Sequence, residues 1–477
     1  MVLQTQDVDR RSGSVDFFAI PVPDEGTGID SVAAADKFIL YRPLRRLAFV
    51  ANAAMARLVT YLLADPASDT TRVPAPVLDY LRGTGFLDPD PPPPPARDPD
   101  YCPTTAVLLM TGRCNLRCVY CYAAGGETGH RDLPEALALA AIDRVCDNAL
   151  QAGRPLFELV FHGGGEPTLP WDTLTRAVSH ARSKSLPCRV SMVSNGLWSA
   201  RQRAWIVGNV DRVTVSVDGG RETQNRQRPS AAGKGTYDAV MRSVAHLDRY
   251  GLNYSFRLTA LAPWGETLAR DVESLCQETG CRRLQVEPAF SDRRGSYRAP
   301  TDDEVDAFVF GFVQAYDVAW RAGRRLTFSG ARPWLLTHSF CSAPFGGLVV
   351  TPSGTLVACY EVTNAAHPLA ALCTVGHLDA DQALIDHEKR ALLLARLAER
   401  RAACRDCFCY WHCAGDCHAK AFYPGAGATP MAGARCRMNR EITAHLLLSY
   451  IAASDGGLWR GQHVGPQIEH RTREESC

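Results

Sequence analysis

Between residues 105 and 322 the sequence alternates six times between a short apolar run and a longer amphipathic stretch. Strands are expected at 105–110, 156–161, 189–193, 212–217, 253–259 and 283–287. Helices are expected at 133–151, 171–184, 199–208, 235–250, 265–279 and 302–322. Six consecutive β–α units fold into a parallel sheet with helices on its outer face. Sites on such sheets lie at the C-terminal ends of the strands. The residues that follow each strand are therefore the place to look for chemistry.

After the first strand comes Thr111-Gly-Arg-Cys114-Asn-Leu-Arg-Cys118-Val-Tyr120-Cys121, a C-x3-C-x2-C loop. Three thiolates on one loop can hold three irons of a cubane, whereas a [4Fe–4S] cluster normally takes four cysteines. One iron would stay open to a ligand. A zinc site or three buried thiols are the plainer alternatives. The second strand leads into His162-Gly-Gly-Gly-Glu166-Pro167, where glycines permit close backbone approach and a carboxylate can meet an ammonium group. The third and fourth lead into Ser194-Asn195-Gly196 and Ser216-Val-Asp218-Gly219, polar ends that can bond hydroxyls and that are also ordinary turn formers. Arg257 lies inside the fifth strand. If buried it needs an anion, either a ligand carboxylate or Glu287 at the end of strand six.

A second cysteine field follows. It is Cys341-x12-Gly354-x4-Cys359, then Cys404-x2-Cys407-x5-Cys413-x3-Cys417, then Cys436. Structural zinc competes for such spacings. The chain has 18 cysteines and no apolar export segment at its start, so they are expected reduced and available to metal, in a cytoplasmic protein. Cys102, Cys146, Cys188, Cys276 and Cys281 are scattered and read mostly as small core residues.

The first cysteine loop, with its aromatic Tyr120, resembles the signature of radical S-adenosylmethionine (SAM) enzymes, and the second field resembles their SPASM extension. The resemblance spans about residues 104–440 and implies a partial (β/α)6 barrel. It implies SAM held by Gly164, Gly165, Glu166, Ser194, Asn195, Ser216, Asp218 and Arg257. It also implies three [4Fe–4S] clusters. Cys114, Cys118 and Cys121 would hold the SAM-binding one. Cys404, Cys407, Cys413 and Cys436 would hold a complete auxiliary one, and Cys341, Cys359 and Cys417 another. Here the sequence departs from relatives with a further cysteine soon after the first, since Phe345, Gly346 and Gly347 stand there. Cys373 and Cys409 are spare. Where sulfatase-activating relatives place an aspartate as base, this chain has Tyr360 and Glu361, the candidate catalytic pair.

Ahead of the barrel, Lys37–Arg42 and Arg46–Val50 form a predicted hairpin around Pro43. Asn52 is the expected cap of a helix with apolar Met55, Leu58, Val59 and Leu62, and a second helix is expected over 75–82. This small α+β unit is similar to winged-helix-like peptide-recognition domains, and could also be a packing appendage. The expected divisions are 1–87, a proline-rich linker at 88–103, the barrel at 104–330, the cysteine-rich domain at 331–450 and a polar tail at 451–477, with residues 1–35 irregular. A net charge of +1 argues against nucleic acid, and no apolar run reaches the length of a membrane span. The expected partners are a precursor peptide and a flavodoxin- or ferredoxin-type reductant. The expected product is an intramolecular crosslink, carbon–carbon or thioether, with oxidation or crosslinking of a partner enzyme, of sulfatase- or dehydrogenase-activating type, as the alternative.

Overall fold

The computed structural model describes residues 15–22, 37–65, 67–96, 100–127, 130–262, 264–265, 267–291, 293–380, 382–422 and 433–462. Most of the expected irregular N-terminus, the tail beyond 462 and Cys477 lie outside the described residues. The elements run β1 (Phe18–Pro21), β2 (Lys37–Arg42), β3 (Leu47–Asn52), α1 (Ala53–Ala64) and α2 (Ala75–Gly83). Then come β4 (Thr105–Leu109), α3 (Glu135–Gln151), β5 (Phe157–His162), α4 (Trp171–Arg182), β6 (Cys188–Ser194), α5 (Ala200–Asn209) and β7 (Arg212–Ser216). The series continues with α6 (Arg221–Gln227), α7 (Tyr237–Arg249), β8 (Asn253–Ala260), α8 (Leu268–Glu278), β9 (Arg283–Pro288) and α9 (Asp302–Arg321).

Strands β4 to β9 are parallel and neighbour one another in chain order, the open barrel expected from the six-fold alternation. Alternate residues face the helices: Phe157, Leu159 and Phe161 on β5 and Phe256 and Leu258 on β8 are fully buried there. Two elements were not foreseen. Helix α6 is an extra turn after β7, and β10 (Arg325–Thr327) adds a parallel strand beside β9.

The sheet also grows at its other edge. β11 (Gly347–Val350) lies parallel to β4, with Val349 opposite Val107. It turns at Gly354, φ +82°, into β12 (Thr355–Val357), so the expected hairpin is an extension of the barrel sheet. A side chain at Gly354 would also be 2.5 Å from the Leu378 carbonyl oxygen. The one-turn α10 (Ala370–Cys373) leads into β13 (Thr374–Leu378) and β14 (Ala383–Ile385). The remainder is α11 (His387–Ala402), α12 (Tyr410–Cys413), α13 (His418–Ala421), α14 (Ala434–Ala452) and β15 (Leu458–Trp459).

The N-terminal hairpin and Asn52 cap form as expected; Asn52 Oδ1 accepts from Met55 N at 2.9 Å. Two corrections follow from this sheet, ordered β1-β2-β3-β15. Phe18–Pro21 is a strand where an irregular stretch was expected, and Leu458–Trp459 is a strand where a polar tail was expected. Trp459 is fully buried and packs against Tyr41 and Tyr450. The start of the proline-rich stretch is anchored as well. Buried Arg42 bonds the Asp88 carbonyl at 2.9 Å and pairs with Asp90 at 2.8 Å. Among the described residues no helix is long and apolar enough to cross a membrane.

Candidate active site and cysteine compartments

The loop carrying Cys114, Cys118 and Cys121 leaves β4 and is held by side chains rather than by secondary structure of its own. Arg117 donates to the carbonyls of Cys114 (2.9 Å), Leu116 (2.8 Å) and Gly126 (3.1 Å). Arg294 donates to those of Cys118 (2.6 Å) and Gly125 (2.8 Å), and the Ser291 hydroxyl to that of Tyr120 (2.8 Å). Two backbone N–H groups point at sulfur, Leu116 to Cys114 at 3.4 Å and Gly125 to Cys121 at 3.5 Å. Such donors favour thiolate over thiol and suit sulfurs that ligate a cluster. Burial pushes the Cys114 thiol up to about 12, so ligation has to displace a proton that the free thiol keeps at neutral pH.

The glycine loop after β5 presses directly on this loop. Gly165 N donates to the Thr111 carbonyl at 3.0 Å and Glu166 N to that of Arg113 at 2.8 Å. A Cβ on Gly165 would fall onto the Arg113 carbonyl oxygen, and one on Gly125 would lie 2.6 Å from the Gly164 oxygen. These glycines serve the approach of two backbones to one another.

Glu166 is buried, 2% exposed. It accepts from Thr168 Oγ1 (2.7 Å), Ser194 Oγ (2.7 Å) and Asn195 N (2.8 Å), yet burial outweighs these bonds and raises its carboxyl. Asn195 Nδ2 reaches Asn115 Oδ1 at 2.7 Å, joining the end of β6 to the cysteine loop. Asp218, at the end of β7, accepts from Tyr120 Oη at 2.6 Å and Thr259 N at 3.0 Å, with Arg228 at 3.7 Å.

The concave face of the sheet carries Ser216 and Arg257, register partners on β7 and β8. Arg257 is exposed, which corrects the expectation of a buried guanidinium; its neighbours Phe256 and Leu258 hold the helix-facing positions. Its field reaches His162, Tyr122, Glu287 and Glu361. Glu287 pairs instead with Arg435, at 3.2 Å. His162 stacks on Tyr360, centroids 5.5 Å apart. Burial, then Arg257, lowers the His162 imidazole to about 4, so it is neutral at pH 7. Burial would raise the Glu361 carboxyl, but Lys420 at 2.9 Å, with His367 and Arg257, outweighs it and holds the carboxyl below its ordinary range. A Cβ on Gly164 would lie 2.8 Å from Thr363 Cγ2, so the glycine loop meets the loop that follows Cys359.

The second cysteine field divides into two compartments. Cys404, Cys407, Cys413 and Cys436 line one cavity with Cys409, Asp416 and Asn439. Asn439 Nδ2 points at Cys413 Sγ, 3.3 Å away. Cys341, Cys359 and Cys417 share an apolar compartment with Cys373, Val107, Leu109, Val349 and Val357. Ala343 N donates to Cys341 Sγ at 3.4 Å. Among the described residues no three His, Cys, Asp or Glu side chains converge as ligands of a single ion would. Thiols spread around a cavity suit a bulky polynuclear group better than one zinc ion, whose sulfurs meet at about 2.3 Å from a common centre.

A family model described as the radical SAM superfamily matches residues 108–267, the segment from β4 to the start of α8. Residues 108–267 are a radical SAM domain. The serine-type anaerobic sulfatase-maturating enzyme of Klebsiella aerogenes is 25% identical over 376 residues, 74% of this chain and 88% of that protein. The Fe-coproporphyrin III synthase of Methanosarcina barkeri is 32% identical over 245 residues, 50% of this chain and 56% of that protein. The solved structure of native anSMEcpe with bound AdoMet shares the fold, with TM-score 0.54 and 17% identity over 72% of this chain and 96% of that one.

The radical SAM domain brings its expected residues to one end of the sheet but not to one role. Ser216 and Arg257 face the concavity, whereas the side chains of Glu166 and Asp218 are turned into the protein and tie loops together. Sequence reasoning missed Tyr122, Arg228, Lys420 and Arg435. For two of these a signal existed: Lys420 lies three residues after Cys417, and Arg435 directly precedes Cys436.

Proposed function

We propose that the chain is a radical SAM maturase that oxidises a peptide substrate and closes an intramolecular crosslink, carbon–carbon or thioether, in a ribosomally made precursor. The observation that supports this reading is the meeting of three loops: the glycine loop presses on the first cysteine loop through Gly165 and on the loop after Cys359 through Gly164, which lies against Thr363. With SAM bound, the cluster on Cys114, Cys118 and Cys121 supplies a 5′-deoxyadenosyl radical that removes a hydrogen atom from substrate. Ser216 and Arg257 contact the cofactor, and Glu166, Ser194, Asn195 and Asp218 position the loops that hold it. Glu361 takes the proton released as the new bond forms, and Lys420 keeps it ionised for that task. The His162–Tyr360 stack walls the mouth and helps exclude water. Cys404, Cys407, Cys413 and Cys436 would hold one auxiliary cluster and Cys341, Cys359 and Cys417 another, which would supply an acceptor for the surplus electron. The N-terminal sheet grips the peptide by strand addition. Its outer strands among the described residues are β1 and the two-residue β15, and β1 is the longer edge.

Reconstituted enzyme, SAM and reductant incubated with a peptide encoded beside the gene should produce 5′-deoxyadenosine and a peptide lighter by about 2 Da, two hydrogens lost on net oxidation. An unchanged peptide mass would sink the reading. A second reading, oxidation of a side chain in a partner enzyme, is favoured by the sulfatase-maturating relative and by Glu361 standing two residues after Cys359. A partner protein carrying a new aldehyde would select it.

A further inference from the structure

The cysteine pattern supplies three thiols to the compartment of Cys341, Cys359 and Cys417, and an iron with no fourth thiolate would be open to substrate. The fold fills that place. Cys373 ends α10, is fully buried, and belongs to the same apolar compartment as the other three. It is set there by strand pairing: Val357 is in register with Thr374, and Ala358 N donates to the Cys373 carbonyl at 2.8 Å. Residues 358–359 and 373 therefore lie beside each other at the end of the β12–β13 pair.

The other spare cysteine is elsewhere. Cys409 lines the second cavity, which already holds Cys404, Cys407, Cys413 and Cys436, and its thiol reaches Thr443 Oγ1 (3.6 Å) and the Asn439 carbonyl (3.7 Å). Cys146, Cys188, Cys276 and Cys281 pack in the barrel core. Among the described residues Cys373 is the one further thiol in the first compartment. His418 is also buried there and bonds Cys359, but all-cysteine ligation is the usual arrangement for a cubane cluster.

We propose that Cys373 is the fourth thiolate of the first auxiliary cluster, with Cys341, Cys359 and Cys417, so that this cluster is closed to substrate. Cys373 loses its proton to solvent on ligation. This rests on the reading that the compartment holds a cluster at all. A closed cluster carries electrons and does not bind the peptide, so the substrate has to be oriented by protein groups rather than by an iron.

The test uses the full chain with Cys114, Cys118 and Cys121 changed to alanine, reconstituted without air, so that only auxiliary clusters remain. That background should hold about eight irons, four per cluster. About four or fewer would overturn the two-compartment reading before Cys373 is touched. In this background Cys373→Ala should lose about one iron with a three-iron EPR signal, or gain a reduced-state EPR spectrum that shifts with cyanide. Cys373→Ser, which retains side-chain volume and a ligating atom, should keep its iron and change the spectrum of one cluster only. Cys276→Ala, in the barrel core away from both compartments, should change neither iron content nor spectrum. If the background spectrum already shifts with cyanide, and both Cys373 variants match it, the proposal is wrong. A Cys359–Cys373 disulfide in the reconstituted background would equally overturn it.

Discussion

Tyr120, the residue before the third cysteine of the radical SAM loop, donates a 2.6 Å hydrogen bond to Asp218 across 98 residues of sequence. Arg228 bonds the same phenol oxygen at 2.5 Å, so a strand end, a helix C-terminus and the cysteine loop meet at one buried point. An aromatic side chain at this position therefore anchors the loop through its hydroxyl as well as its ring.

Asp218→Ala should cost about 3–5 kcal/mol, because Arg228 is left as a buried charge without its counter-ion. Tyr120→Phe should cost about 1–3 kcal/mol, the penalty for an unmet buried partner. Both should lower iron incorporation at the first loop. Urea unfolding and iron content per chain check this, and an Asp218→Ala variant as stable as wild type would refute the anchoring role.

Gly165→Ala should prevent the glycine loop from seating on the cysteine loop, since all three obstructing atoms are backbone and none can rotate away. Iron incorporation at Cys114, Cys118 and Cys121 should fall sharply, with a stability loss of about 1–3 kcal/mol. Gly208→Ala is the contrasting case. That glycine sits in α5 with nothing within 4 Å of a new Cβ, and alanine should stabilise by about 0.4–1 kcal/mol. Thermal melts and iron assays on the two variants decide it.

The barrel was legible in the sequence because β4 to β9 each carry a buried apolar run followed by an amphipathic helix, and that pattern reports directly on which faces are buried. The division of the second cysteine field into two groups came from its resemblance to the SPASM pattern, and the fold places the same cysteines in two compartments. What escaped has a physical cause in each case. A two-residue strand such as Leu458–Trp459 has no periodicity to detect, and its single buried tryptophan looks like any tail aromatic. The Tyr120–Asp218 and Glu287–Arg435 pairs join residues far apart in sequence, which local pattern cannot connect. Arg257 was misplaced because a charged residue inside an apolar strand suggests burial, whereas on a strand lining an open barrel every second residue faces the concavity.

Acid should weaken the fold through His162. Its folded value of about 4 lies below the ordinary 6.5, so between these the unfolded chain binds a proton that the native chain does not. Stability is therefore complete above about pH 6.5 and is lost as pH falls toward about 4. The melting temperature should drop between pH 7 and pH 5, and His162→Asn should flatten that slope. An identical slope in the variant would show that other groups carry the effect.

Glu361→Gln keeps the shape of the carboxylate but cannot take a proton. If Glu361 is the base, product formation should fall by about 10²–10⁴-fold while SAM cleavage to 5′-deoxyadenosine continues, giving abortive turnover. Lys420→Met should weaken the same step by letting the carboxyl rise toward neutrality, and the loss should be partly recovered at higher pH. Parallel chromatography of 5′-deoxyadenosine and product separates this uncoupling from a general defect, in which both would fall together.

Arg435 is the point where the barrel and the cysteine-rich region are joined by charge. It pairs with Asp416 at 2.9 Å and with Glu287 at 3.2 Å, and donates to Ser329 Oγ at 2.7 Å. Burial by itself would lower its guanidinium, but the two carboxylates outweigh it and raise it. Its neighbours in sequence are cluster-side cysteines: Cys436 follows Arg435 and Cys417 follows Asp416. Arg435→Met should cost about 3–5 kcal/mol, since it strands two buried carboxylates. Glu287→Gln in the same chain should restore about 0.5–3 kcal/mol, the coupling expected of residues in one network. Because the arginine spans both cysteine compartments, the single variant should also broaden the EPR signals of the auxiliary clusters together. A double-mutant cycle by chemical denaturation measures the first effect, and a strictly additive cycle would show that Arg435 and Glu287 act independently.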